Sequence, residues 1–536
     1  MRKTNLLFLK GSAKEIFVPD AFSLSKQRRI KGSDEMSKTK KRRTVKRRRS
    51  AKPLTLTEAF FLLFIVIGIV AAIILLQNKG SYQIVAYDRS HRATLLHTAD
   101  SLDEAQMLMQ QEIERGTYNP AILQDDQMID IRYGIIVFPN DVCTQTTAFT
   151  YLDQSKGYLN GCYGADALYV GYAEGWLFQI SAAIGKISPD QAQLYDIHDP
   201  ALAAINHYQV SAGRLLHYGS GNVKDSAKQF QIDLGAAPAS LQDGIYYSYD
   251  GHYFYESFEA MADDVRAECH TNAVNSVPFY QYFQYLPQRS HTDHDETVLN
   301  AYLQEAYGIT SLPTTCPADA SASILYKSGS LFLDMQDRYT INALILFASA
   351  IHESDAGRSN IACAKHNLFG HSAYDDDPYA SAATYQSIAE CLESHVQQYL
   401  IESYANPADT RWHGSHLGDK ANGMNVRYAS DPYWGEKIAS HLQRIDEAFG
   451  AKDHGKETIL WVEAGTAFYT APNEKVLYQT TTALPLIVVD QKTIGREIWY
   501  EVQSDAAIDP SSLVPDANSL YQEQEARVWV KAEQEE

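Results

Sequence analysis

The residues with the clearest chemical potential are carboxylic acids set beside apolar sequence. In YTINALILFASAIHES (residues 339–354), Ala343, Leu346, Phe347, Ala350 and Ile351 recur at helical intervals, and Glu353 closes the run. A carboxyl delivered to the edge of an apolar helix loses water, which raises its pKa and keeps it protonated near neutrality. A protonated carboxyl is the group needed to hand a proton to a leaving oxygen in glycoside hydrolysis. The bland reading, a surface glutamate that merely ends a buried helix, stands level with it on these grounds. Asp431, next to Pro432, is a second acid, and it equally suits capping the helix that follows.

Three elements must position these groups. The first is the helix ending at Glu353. The second helix runs from about Ser387 to Tyr404, with Ile388, Cys391, Leu392, Val396, Tyr399 and Leu400 on one side. Between them lies HNLFGHSAYDDDPY (366–379), irregular and rich in turn formers. The third element is GMNVRYASDPYWGEKIAS (423–440), a loop running into another helix.

The chain has 536 residues, too many for one core, so two to four domains are expected. A small α+β spacer is read at 82–140, with a helix opening at the Ser101/Glu104 capping signal and IRYGIIVF as its closing strand. A β-rich module follows at 144–235, with Cys162 in the turn LNGCYG. Residues 244–310 are a tyrosine-rich connecting region, read as aromatic packing in preference to a sugar-stacking surface. The helical segment occupies 311–450, and a second β module occupies 457–532.

Charge is unevenly spread. The first 52 residues hold 18 Lys/Arg against 4 Asp/Glu, whereas the other 484 hold 28 against 62. The boundary is an uncharged run of 18 residues, Ala59–Leu76, long enough to span most of a ~30 Å hydrocarbon core. Residues 1–58 are thus expected to be a basic cytoplasmic tail, 59–76 a single-pass membrane anchor, and the rest extracellular. No small-x-small cleavage site follows the run, which favours an uncleaved anchor; Met36 is an alternative start. The acidic body argues against a nucleic-acid partner. All six cysteines lie beyond the anchor; disulfides between sequence neighbours, 143–162, 269–316 and 363–391, are the expectation, with a set of buried free thiols as the other reading.

The three blocks around Glu353, Asn367–Gly370 and Tyr428–Trp434 resemble the glucosaminidase module of glycoside hydrolase family 73, which cleaves bacterial peptidoglycan. Two positions depart from the family's usual E-S-G-x-G: Asp355 replaces the first glycine, and Ala356 a tryptophan. The resemblance implies a lysozyme-like, mostly helical α+β catalytic domain with Glu353 as general acid. It implies Asp431 as the first candidate for the group that activates water or steadies the acetamido group, with Asp375 to Asp377 as the alternatives, and Tyr428 as a hydrogen-bond donor lining the site. Asp375 and Asp377, Asn367, Phe369, Tyr433 and Trp434 are the expected substrate-binding residues. The C-terminal WY-x-V and V-W-V pieces resemble SH3-like wall-binding modules.

The expected activity is an endo-β-N-acetylglucosaminidase acting after N-acetylglucosamine, serving local wall remodelling or daughter-cell separation. Peptidoglycan and the membrane are the expected partners, with cell-division or wall-synthesis proteins beside them. A lytic transglycosylase or muramidase, and a non-catalytic wall-binding scaffold, are the rival readings. No cofactor or metal is required: His366, His371, His413 and His416 read as surface or cleft-rim residues, and His291, Asp293, His294 and Asp295 as a solvated linker.

Overall fold

The computed structural model describes residues 6–8, 82–373, 377–507, 509, 521 and 526–532. Apart from Leu6–Phe8, the expected basic tail lies outside the described residues, as do the apolar run Ala59–Leu76 and Asp375. Among the described residues, no helix is long and apolar enough to cross a membrane.

The chain begins its described body with a four-stranded antiparallel sheet, ordered Ala93–Ala99, Tyr82–Tyr87, Asn119–Gln124, Gln127–Ile131. Helix α1 (Leu102–Glu114) buries Ala105 and Met109 against it, and the Ser101 side chain accepts from the Glu104 amide as the capping signal required. The expected closing strand IRYGIIVF is split: Gln127–Ile131 stays with this sheet, but Gly134–Val137 pairs into the next. A boundary at 140–144 therefore cuts through a sheet.

That second sheet has seven antiparallel strands, ordered Gln193–Asp196, Gly134–Val137, Asp166–Tyr172, Trp176–Ile180, Ala183–Ile187, Thr147–Tyr151, Lys156–Leu159. A third sheet, Gln229–Ala236, Arg214–Ser220, His207–Ser211 and Gly244–Tyr246, shares a core with it through Phe149, Phe178, Val210 and Leu215. The region expected as one β module at 144–235 is thus parts of two sheets. The tyrosine-rich stretch packs inward, with Tyr246, Tyr249, Tyr255, Tyr282 and Tyr285 all buried. Helix α2 (Phe258–Arg266) covers part of this β region.

The helical part follows: α3 (Glu296–Tyr307), α4 (Gly329–Tyr339), α5 (Ala343–Ser354), α6 (Asn360–Lys365), α7 (Pro378–Ser381), α8 (Ile388–Ser394) and α9 (Trp434–Ala448). The expected helix at 387–404 begins as α8 and continues as a π-helix over His395–Tyr404. Helix α5 is the centre of the core: Ala343 to Ile351 are all buried, so the apolar run is wrapped on every side rather than on one face. A final sheet contains Ile459–Val462, Leu484–Ile494, Glu497–Gln503, Arg527–Lys531, Ala467–Tyr469 and Val476–Gln479, with Leu6–Phe8 added in parallel at its edge.

Two disulfides are present. Cys143–Cys162 is as expected, but the second joins Cys316 to Cys363, leaving Cys269 and Cys391 as thiols. The expected pairs 269–316 and 363–391 fail because sequence order does not give spatial order. Cys391 is sunk in the helical core, where its sulfur accepts from the Leu368 amide at 3.4 Å, while Cys363 sits on α6 beside the loop that carries Cys316.

Candidate active site

Helix α5 ends where its sequence stops being apolar. Asn342 caps its start, accepting from the Leu344 and Ile345 amides at 2.9 and 3.0 Å. Its end is formed by Asp355, Ala356 and Gly357, three consecutive residues with positive φ. This explains why glycine suits the position Asp355 occupies; an aspartate tolerates the left-handed region better than most side chains. Glu353 is left partly open to solvent, but the protein around it strips its carboxyl of water. Burial pushes its pKa up to about 7; the Trp434 hydrogen bond pulls it down, and the charge of Asp431 pushes it up further.

Trp434, the first residue of α9, donates its indole N–H to Glu353 Oε1 at 2.7 Å. Tyr428 stacks on that indole, with ring centroids 4.5 Å apart. Burial, then the neighbouring Glu353 charge, drives its phenol well above the usual range, so it remains an O–H donor. Asp431 Oδ2 accepts from Lys437 Nζ at 2.5 Å, and its Oδ1 accepts from the Tyr433 amide at 2.9 Å. Asp431 thus fastens the turn that leads into α9 alongside the ion pair, but does not cap the helix, whose N-cap position is Tyr433 and has no side-chain cap. His352 flanks the acids and is held uncharged, its pKa pushed down to about 4 mainly by burial against the opposing pull of Asp431.

Glu353, Tyr428, Asp431 and Trp434 are thus brought together. Other expected contacts go elsewhere. Asn367 is buried and ties its own loop, donating to the His371 and Ala383 carbonyls and accepting from the His371 amide. Phe369 stacks face to face on buried His395 at 3.7 Å. Asp377 caps α7 through the Ala380 amide. Tyr433 is buried in the core of the second and third sheets, where Asn206 donates to its hydroxyl. Its neighbour Trp434 belongs to the helical core, so these two adjacent rings peg one chain segment into both.

The histidine expectations need correction too. His371 and His416 are buried, each pushed down to about 4 by desolvation, and are not rim residues. His294 is buried against Asp446 at 2.8 Å, because the 292–294 segment packs onto the end of α9 and is no solvated linker. His294, Asp446 and Asp453 lie close enough to hold a cation. The carboxylates, however, already accept from the Asp453, His454 and Asp293 amides and the Thr292 hydroxyl.

Sequence reasoning missed the residues that hold the Asp431 segment. Lys420, wholly buried and pushed down to about 7 by desolvation, donates to the Asn425 and Ala429 carbonyls at 2.9 and 2.6 Å. From the second sheet, Tyr151 donates to the Lys420 carbonyl, Tyr158 to that of Arg427 and Ser181 to that of Pro432, at 2.9, 2.8 and 2.6 Å. A Cβ on Gly435 would stand 2.0 Å from the Gly418 carbonyl oxygen, so only glycine lets α9 start this close to the loop. Nothing local in the sequence pairs residues some 250 positions apart.

Residues 329–447 match the family model described as mannosyl-glycoprotein endo-beta-N-acetylglucosaminidase, and this segment is a domain of the glucosaminidase family. Proteins from two strains of Streptococcus pneumoniae, each described as a candidate endo-beta-N-acetylglucosaminidase, are 37% identical over 227 residues, 41% of this chain. The matched stretch spans only 33% and 31% of their lengths. Among solved structures, a catalytic mutant of S. aureus autolysin E in complex with the disaccharide NAG-NAM is 18% identical. The match covers 32% of this chain and 75% of that one, with a TM-score of 0.24.

Proposed function

We propose that the glucosaminidase domain at 329–447 makes this chain a peptidoglycan hydrolase that cleaves the β-1,4 bond after N-acetylglucosamine, with Glu353 as general acid. One observation carries the reading: a carboxyl with a pKa of about 7, oriented by an indole N–H on Oε1. Among the described residues nothing else bonds that carboxyl, so Oε2 is free to hold the proton and present it to the glycosidic oxygen. As the C1–O bond breaks, the proton passes to the departing sugar and positive charge gathers at C1. Asp431, fixed by Lys437 and the Tyr433 amide, is the acceptor placed to orient water or the acetamido N–H. The Tyr428 hydroxyl donates to substrate oxygen beside it.

Support for the wider reading comes from the sequence. The basic cluster Lys38–Lys52 and the apolar run suit a single-pass anchor with the folded body outside the cell, confining hydrolysis to wall near the membrane; the pairing of Leu6–Phe8 with Ile459–Trp461 opposes it, since a spanning anchor would part the two. The flanking β regions then serve as SH3-like contacts to the wall, and local remodelling or daughter-cell separation is the corresponding role.

Mass spectrometry of the products of native peptidoglycan tests the activity. N-acetylglucosamine at the new reducing end is the expected result. A 1,6-anhydromuramic acid terminus would assign the chemistry to a lytic transglycosylase instead. Membrane placement is read separately, from protease protection of the N-terminal tail in sealed cells.

A further inference from the structure

The turn LNGCYG (159–164) is held from several directions. Cys162 is disulfide-bonded to Cys143. Asn160 donates to the Cys143 carbonyl at 2.7 Å, accepts from the Cys162 amide at 2.9 Å, and donates its own amide to the Ser430 carbonyl at 2.9 Å. A Cβ on Gly161 would meet the Pro139 carbonyl oxygen at 2.3 Å, and one on Gly164 would meet Pro432 Cγ at 2.4 Å. The turn is therefore clamped between its own sheet and the segment bearing Asp431.

What this rigid turn presents is Tyr163, 43% exposed, in contrast to the buried Tyr169, Tyr208 and Tyr249 of the same β region. Lys437 Nζ lies 5.6 Å from the centre of the Tyr163 ring, 4.5 Å from that of Phe230, and 2.5 Å from Asp431 Oδ2. Trp434 and Lys437, three residues apart, share a face of α9. Glu353, Trp434, the Asp431–Lys437 pair and the two rings that approach Lys437 thus form a chain of neighbours from the helical domain to the β sheets.

We propose that Tyr163, flanked by Phe230, is a stacking platform for a sugar ring of the bound glycan strand, beyond the two sugars joined by the bond that is cut. This rests on the peptidoglycan reading above. A pyranose has a flat face of C–H groups that packs on an aromatic ring. Asp431 neutralises Lys437, so the ground between the acid and the platform carries little net charge. The clamped turn also presents the ring already ordered, which lowers the entropic cost of binding.

The test compares Tyr163→Ala and Tyr163→Phe on solubilised long glycan strands and on a short oligosaccharide that reaches only the bond that is cut. Tyr163→Ala is expected to raise KM on long strands about five- to tenfold with kcat within about twofold. Tyr163→Phe, which keeps the ring, retains the parent KM, and the short substrate does not distinguish the variants. An unchanged KM for Tyr163→Ala on long strands overturns the proposal. So does an equal loss in Tyr163→Phe, or a fall in kcat and melting temperature on both substrates, which marks a packing role. Strand binding on the Glu353→Gln background reads the platform without turnover. If the parent chain hydrolyses nothing yet binding there still falls with Tyr163→Ala, the activity assignment fails alone; if binding is unmoved, the platform fails.

Discussion

Helix α5 and the segment Asp419–Trp434 deliver groups to the same site by different physical means. Helix α5 carries Glu353 on a contiguous apolar run, buried from Ala343 to Ile351, so its position follows from non-directional hydrophobic packing within one domain. The Asp419–Trp434 segment has little regular structure, and polar tethers hold it: Lys420 from within, and Tyr151, Tyr158, Asn160 and Ser181 from the second sheet. The acid is thus set locally and its partner group across a domain boundary. Stability should be most sensitive to the first region, and the alignment of Asp431 and Tyr428 to the second.

The largest effect is expected at the end of α5. Glu353→Gln should lower turnover by about 10²- to 10⁴-fold, the typical contribution of a general acid. The same variant has a thermodynamic signature. A carboxyl raised from 4.5 to about 7 binds its proton more tightly in the folded state, so stability falls as pH rises through that interval. Glu353→Gln should therefore melt higher than the parent at pH 8, with the gain shrinking at pH 5. Equal melting temperatures at both pH values would contradict a desolvated acid.

Phe347→Ala, in the fully buried middle of α5, should cost about 3–5 kcal/mol in denaturant unfolding. Ser181→Ala removes one tether to the Pro432 carbonyl and should cost only about 1 kcal/mol, yet lower kcat at neutral pH. If kcat is untouched, the second sheet does not align the Asp431 segment. The smallest effect sharpens the acid's own setting. The Trp434 hydrogen bond lowers the Glu353 pKa, so Trp434→Phe should move the alkaline limb of the kcat profile to higher pH; a shift the other way would remove the indole from this role.

Much of the helical region was legible because its signals are local. Apolar spacing marks α5, Ser101 starts α1, and the order of strand and turn residues marks the C-terminal sheet. The three family blocks brought Glu353, Tyr428, Asp431 and Trp434 into one expectation. The same blocks also nominated Asn367 and Phe369, which the fold uses internally, because a motif does not distinguish a loop's own fastening from its contact surface. His294 and His416 looked solvent-facing for a related cause: their buried partners, Asp446 and Asn422, are supplied by the fold.

The sequence by itself determined that an apolar helix ends in a carboxylic acid, since helical periodicity and hydrophobic burial act over a dozen neighbouring residues. Only the tertiary structure decided what that acid meets: an indole 81 positions away, and an aspartate already bound to a lysine on a segment braced by a β sheet. It also decided that Cys316 pairs with Cys363. Hydrogen bonds, ion pairs and disulfides form between groups within a few ångströms in space, and their distance along the chain leaves no periodic trace in the sequence.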